Sequence, residues 1–219
     1  MLKPDWRRMM EEEILKHSTD NKKPRLLLHV CCAPCSSGVL EMLCRHFSVT
    51  CYYDNPNISP KEEYDKRYLE LTRLIKEMPL DEVPSCMSED YDPTRFYQMS
   101  QGLENEPEGG KRCFLCYEMR LRDTARKAKA GQYDYFTTTL SVSPYKNAAK
   151  LNEIGGRLSQ EFGVPYLFSD FKKGDGYLKS IRNSKTYGLY RQNWCGCEFS
   201  RRQSELKEAM KHEKEKDSQ

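Results

Sequence analysis

Apolar positions along the chain fall into short runs that alternate with helical stripes. RLLLHV, residues 25–30, is a continuous apolar run behind a polar start, as expected of a central parallel strand buried on both faces. SSGVLEMLCRHF follows, with Val39, Leu40, Leu43 and Phe47 at helical spacing and Ser36 or Ser37 able to cap it. SVTCYYDNPN predicts a second strand that runs into a turn of Asp, Asn and Pro. Residues 60–77, PKEEYDKRYLELTRLIKE, form the clearest amphipathic pattern, with Pro60 suited to a first helical turn. DEVPSCM predicts a short third strand, DPTRFYQMSQGL a helix, ENEPEGGKR a loop and RCFLCYEMRLRDTARKAKAGQ a long helix. YDYFTTTLSVSP reads as a strand with a polar loop, KNAAKLNEIGGRLSQEFG as a helix and VPYLFSDF as a further strand. Residues 3–17 predict an N-terminal helix. From FKKGDGY onward the chain is glycine-punctuated and basic, until a solvated final helix, SRRQSELKEAMKHEKEKDSQ.

Strands alternating with helices predict an α/β fold with an open, mostly parallel sheet. The organisation expected is one catalytic domain over residues 25–205, preceded by a helix and connector in 1–24 and followed by a charged tail in 206–219.

Charge changes this picture little. The 36 Lys and Arg against 33 Asp and Glu leave a net +3, so nucleic-acid binding has to rest on a local basic patch. No stretch approaches the roughly 20 apolar residues of a membrane span. The opening MLKPDWRRMMEEEILKHSTDNKKPR is too charged for a secretory segment, so a cytoplasmic location is expected. Ten cysteines then stand out, because disulfide frameworks belong to exported domains. Clustered thiols in a reducing compartment point to metal or redox chemistry instead.

Three clusters carry that chemistry. Cys31 and Cys32, with Cys35 following after Ala-Pro, sit where the first strand turns into a helix. Ligands of open α/β sheets bind beyond the carboxyl ends of the strands, and a helix N-terminus favours thiolate over thiol. R-C-F-L-C-Y supplies Cys113 and Cys116 as a C-x-x-C pair at a helix start. Joined to the first pair, it gives the four thiolates of a zinc tetrahedron or an iron–sulfur cluster, and spacing leaves both open. W-C-G-C-E puts one glycine between Cys195 and Cys197, a pair that suits either redox exchange or further metal ligation. Cys44, Cys51 and Cys86 have no companions and read as structural.

HVCCAPC, RCFLCYEMRL, TTTLSVSPYKN and YGLYRQNWCGCEFS occur in that order, and together they resemble the QueH-type epoxyqueuosine reductases from about Arg25 to Arg202. The resemblance implies removal of the epoxide oxygen from epoxyqueuosine at the wobble position of certain tRNAs, giving queuosine as the last step of its synthesis. It implies a 4Fe–4S cluster on Cys31, Cys32, Cys113 and Cys116, a redox-active pair at Cys195 and Cys197, and a Rossmann-like sheet of the nucleotide α-hydrolase type. Cys35 is left open between a ligand to an additional iron ion and a near neighbour of the cluster. The acidic loop around Glu104–Gly110 receives no role from it.

That reaction requires a proton donor, for which His29, Tyr53, Asp54 and Tyr145 are candidates, and an electron donor whose identity the sequence leaves open. Holding tRNA requires basic contacts. Lys111, Arg112 and Arg120 flank the second thiol pair, and the last third adds Lys172, Lys173, Lys179, Arg182, Lys185, Arg191, Arg201 and Arg202 among Tyr177, Tyr187, Tyr190 and Trp194. Two rival readings are a tRNA sulfur-transfer enzyme with a similar cluster and a zinc-stabilised RNA-binding module. The former is disfavoured because HVCCAPCSS stands where an S-G-G-x-D-S loop is expected.

Overall fold

Leu26, Leu27 and Leu28 are fully buried, and they face opposite layers as the period of two of a strand demands. Leu26, Leu28 and Val30 join one core cluster with Val39, Leu40 and Leu43. Leu27 joins the other with Tyr117, Leu121, Ala125 and Leu151. Each such leucine contributes about 2 kcal/mol by burial. A run without polar positions is thus read correctly as a strand covered on both sides.

The computed structural model describes residues 4–17 and 22–216. Its elements are α1 (Trp6–Lys16), β1 (Arg25–His29), α2 (Ala33–Leu43), β2 (Ser48–Tyr53), α3 (Lys61–Glu77), β3 (Ser85–Ser88), α4 (Thr94–Ser100), α5 (Lys111–Ala130), β4 (Tyr135–Thr138), a 3-10 turn (Thr139–Val142), α6 (Ala148–Phe162), α7 (Gly176–Thr186) and α8 (Glu198–Lys216). The four strands form one all-parallel sheet in the order β3-β2-β1-β4, flanked by helices in a Rossmann-like arrangement. The α1 helix adds Met10 and Ile14 to the core. Among the described residues, no helix is long and apolar enough to cross a membrane.

Two elements differ from expectation. Residues 164–171 make only an isolated parallel bridge between Tyr166 and Phe136. Side chains take over the rungs that would extend it: Thr137 Oγ1 donates to the Leu167 carbonyl (2.9 Å), and Asn152 holds both the N–H (2.9 Å) and the carbonyl (2.8 Å) of Ser169. The basic stretch after Phe171 contains a real helix, α7, that no apolar stripe announced. It is pinned to α2 instead, where the Lys179 stem lies over Gly38 and Glu41 binds both Lys179 and Asn183.

The order of strands reverses beside β1, with β2 and β3 to one side and β4 to the other. Such a switch point opens a crevice beyond the carboxyl ends of the strands. His29 ends β1 there, and the thiol segment begins two residues later.

Candidate active site

Three helices begin at this crevice, and each has thiols in or just before its first turn. Cys32 is the N-cap of α2 and Cys35 lies in its first turn, with Pro34 favouring helix initiation between them. Cys113 lies in the first turn of α5, where its Sγ accepts a hydrogen bond from the Gly109 N–H (3.3 Å), and Cys116 follows on the same face. Cys197 immediately precedes α8, and its Sγ accepts from the Ser200 N–H (3.4 Å). Unpaired N–H groups give each helix start a partial positive charge, which stabilises thiolate sulfur.

The sulfur atoms of Cys31, Cys32 and Cys35 lie within 4.8 Å of one another, close enough for one ion. Cys31 Sγ stands 3.7 Å from Cys32 Sγ and 3.6 Å from Thr139 Oγ1, at the switch point between β1 and β4. Hydrogen bonds from Cys32 and Cys35, with Arg120 nearby, hold the Cys31 thiol well below its ordinary range. Sharing with Cys31 pushes Cys32 up to about 12, and the same sharing raises Cys35. This sharing favours thiolate at Cys31 over its two neighbours, and a metal ion displaces the remaining thiol protons on binding.

Cys113 and Cys116 stand outside that tight group. Cys113 belongs to the core cluster against which Cys31 packs. Cys116 shares a smaller cluster with Cys197, Phe96 and Phe199, and Cys195 packs on it. Burial pushes the Cys116 thiol up to about 11 and raises Cys113. Thiolates of a four-iron cluster bind separate irons, so they stand farther apart than the ligands of one ion. Sulfur donors throughout suit zinc, copper(I) or iron–sulfur centres rather than hard cations.

Cys195 Sγ lies 3.4 Å from Cys197 Sγ. Gly196 between them has φ +113°, and a Cβ there would meet Ile58 at 2.9 Å and Arg67 Nη1 at 3.0 Å, so the C-x-C turn requires glycine. The hydrogen bond with Cys197 draws the Cys195 thiol well below its ordinary range against burial, and the Lys146 ammonium adds to this. Cys197 is raised in turn. Lys146 is buried, yet Cys195, Tyr117 and Glu108 hold it protonated. Glu108 receives Lys146 Nζ at 3.3 Å and the Ser200 hydroxyl at 3.2 Å, and Ser200 Oγ accepts from the Cys195 N–H (3.2 Å).

A cavity of about 400 Å³ is walled by Cys31, Cys32 and Cys35 together with Cys195, Lys146 and Glu108. Tyr145 also lines it and leaves 76% of its surface exposed. Lys146, Glu108 and Ser200 carry no expectation from the sequence. Lys146 lies inside the quoted TTTLSVSPYKN, and Glu108 lies in the acidic loop that had no role.

Several expected roles change. Arg112, 1% exposed, donates to the carbonyls of Leu103 (2.6 Å) and Glu104 (3.0 Å), and Arg120 is 3% exposed, so neither is available to phosphates; Lys111 is exposed. The Tyr190 hydroxyl bonds Glu63 at 3.2 Å, while Trp194, against buried Arg67, and Tyr177 line the cavity. Among the proton-donor candidates, burial and then Arg120 push His29 down to about 3, leaving it neutral. Tyr53 donates to the Tyr64 carbonyl within the core (2.9 Å), and Asp54 is paired with Arg95 (2.9 Å). Of the four, Tyr145 lines the cavity. Cys44 and Cys51 are buried in the core, and Cys86 packs against it.

Residues 26–203 match the family described as "Epoxyqueuosine reductase QueH". Proteins of that name from Staphylococcus epidermidis and Streptococcus pyogenes are 39% and 37% identical, each over 90% of this chain and over 85% and 78% of their own lengths. The Thermotoga maritima protein of that name is 34% identical over 80% of this chain and 89% of its own.

Proposed function

This chain belongs to the epoxyqueuosine reductase QueH family, and from that premise we propose that it removes the epoxide oxygen of epoxyqueuosine at the wobble position of tRNA, yielding queuosine. The observation that carries the reading is one cavity bordered by the thiols of Cys31, Cys32 and Cys35 and by Cys195 of the C-x-C pair. Oxidoreductase chemistry at sulfur requires that proximity.

Cys31, Cys32, Cys113 and Cys116 are the proposed ligands of a 4Fe–4S cluster, with Cys35 the ligand of an additional iron ion. Soft donors at helix N-termini and a buried cation beside Cys31 support an anionic metal–thiolate centre. When bound, such a centre supplies electron transfer and a Lewis-acidic iron.

Converting an epoxide to an alkene consumes two electrons and two protons and releases water. Oxidation of the Cys195 thiolate and Cys197 thiol to a disulfide releases the two electrons and one proton, and solvent water supplies the second proton, so the exchange balances. An external electron donor then restores the dithiol. Cys195 is the thiolate of the pair and Cys197 holds the shared proton. Lys146 keeps a positive charge at the cavity wall, where it favours oxygen leaving with a proton.

Tyr145 at the rim offers an aromatic face for a base, and Arg191 and Lys207 line the same cavity. Binding that weakens steeply with salt is the expected signature of the phosphate contacts. The test is anaerobic incubation of iron- and sulfide-reconstituted protein with epoxyqueuosine-containing tRNA and a chemical reductant. Nucleoside mass spectrometry should show loss of one oxygen; an unchanged nucleoside overturns the proposal.

A further inference from the structure

A charge lies beneath the thiols that its hydrogen-bonding partners do not neutralise. Arg120 is 3% exposed, and among the described residues its guanidinium forms no ion pair with a carboxylate. Nε donates to His29 Nε2 (3.3 Å) and Nη2 to Asn55 Oδ1. Neither partner is an acid. His29 Nδ1 lies 2.9 Å from Thr138 Oγ1 and its Nε2 also lies 3.3 Å from the Asp54 carbonyl, while Asn55 Nδ2 donates to the Val30 carbonyl at 2.9 Å. Asp54, the acid that senses Arg120, is bound by Arg95 at 2.9 Å. Arg67 makes the contrast: equally buried and also near Cys31 and Cys32, it is matched by Glu63 at 2.7 Å.

A buried cation without an ion-pair partner is costly; the nearby Asp54 carboxylate is already held by Arg95, and the other groups within reach that can carry negative charge are the thiols. Arg120 lines the same cavity as Cys31, Cys32 and Cys35. Cys116 is four residues before it on α5, on the same helical face. Resting on the metal–thiolate reading above, we propose that Arg120 is the fixed counter-cation of that centre, offsetting its negative charge and raising its reduction potential.

The physical ground is that four thiolates leave an iron–sulfur cluster net negative, and each added electron increases that charge. A nearby permanent cation stabilises the reduced form more than the oxidised form. A carboxylate partner would cancel this field. His29, which ends β1, and Asn55, two residues past β2, aim the guanidinium without a carboxylate that would cancel it. Its fork reaches acceptors from two segments, which a lysine cannot do as rigidly.

The experiment is a potentiometric titration of the anaerobically reconstituted full chain, followed by its electron paramagnetic resonance signal, with iron and sulfide assayed alongside. Arg120→Gln should move the midpoint to more negative potential, and Arg120→Lys should stay near wild type. Asn55→Asp leaves Arg120 in place but gives it a counter-anion, so it should move the midpoint in the same direction as Arg120→Gln, which keeps the test open if that variant does not fold. A wild-type midpoint in Asn55→Asp, or equal shifts in the Lys and Gln variants, overturns the assignment and leaves the cofactor reading standing. A wild-type protein that takes up no iron overturns both.

Discussion

Arg67 Nη1 donates to the main-chain carbonyl of Cys195 at 3.2 Å, joining α3 to the C-x-C turn across 128 positions of sequence. The same guanidinium is 2% exposed and binds Glu63 through Nε at 2.7 Å. One buried ion pair thus anchors the backbone of the proposed redox pair, while the Gly196 backbone leaves room for it.

Removing the cation strands Glu63. Arg67→Met is expected to destabilise the protein by about 3–5 kcal/mol, lowering the melting temperature by roughly 10 °C. Adding Glu63→Leu should recover part of the loss, because the uncompensated carboxylate goes too. Thermal melts of the single and double variants check this.

If the dithiol relays electrons, Cys195→Ser abolishes multiple turnover while iron and sulfide contents stay near wild type. Metal analysis beside a turnover assay separates the roles, since loss of iron in this variant would make Cys195 structural.

The thiol of Cys195 lies well below the ordinary value, 9.0, chiefly through Cys197 and with help from Lys146. Lowering favours thiolate, the nucleophilic form, at lower pH. Alkylation of Cys195 in the metal-free protein should therefore reach half its maximal rate well below that of a free cysteine. Lys146→Met should move the profile upward, as mass spectrometry of the modified peptide across pH will show.

Cys35 separates one metal site from two. Cys35→Ser should lower bound iron while leaving acid-labile sulfide unchanged if it serves an additional iron ion. Parallel loss of iron and sulfide would assign it to the cluster itself.

Gly155 on α6 tests the packing beneath the site, because a Cβ there would overlap the Tyr166 ring. Gly155→Ala should cost about 1–3 kcal/mol as an overpacked core position. Denaturant melts measure it, and cavity chemistry should persist at low temperature.

Much of the sheet was legible because burial on two faces leaves a mark in the chain. The run through Leu26–Leu28, the stripe of α3 and the thiols at the end of β1 all follow from local pattern. The short life of the strand near Tyr166 was not, since the groups that end it, Thr137 and Asn152, come from other elements. The α7 helix was hidden for the opposite reason: contacts with Gly38 and Glu41 hold it, rather than an apolar stripe of its own. Arg112 and Arg120 look like surface cations in sequence, because a charged residue on an amphipathic helix usually faces water. Their burial depends on the angle at which α5 meets the strand ends.

By itself, the sequence determined the strand–helix alternation, the family and which sulfur atoms stand at helix starts, because these depend on neighbours within a few residues. Only the tertiary structure decided that Cys35 joins Cys31 and Cys32, that Lys146 and Glu108 face Cys195, and that Arg120 lies buried on His29 and Asn55. Those relations are set by how helices pack across the end of the sheet, and electrostatic interactions act through space with no regard for separation along the chain.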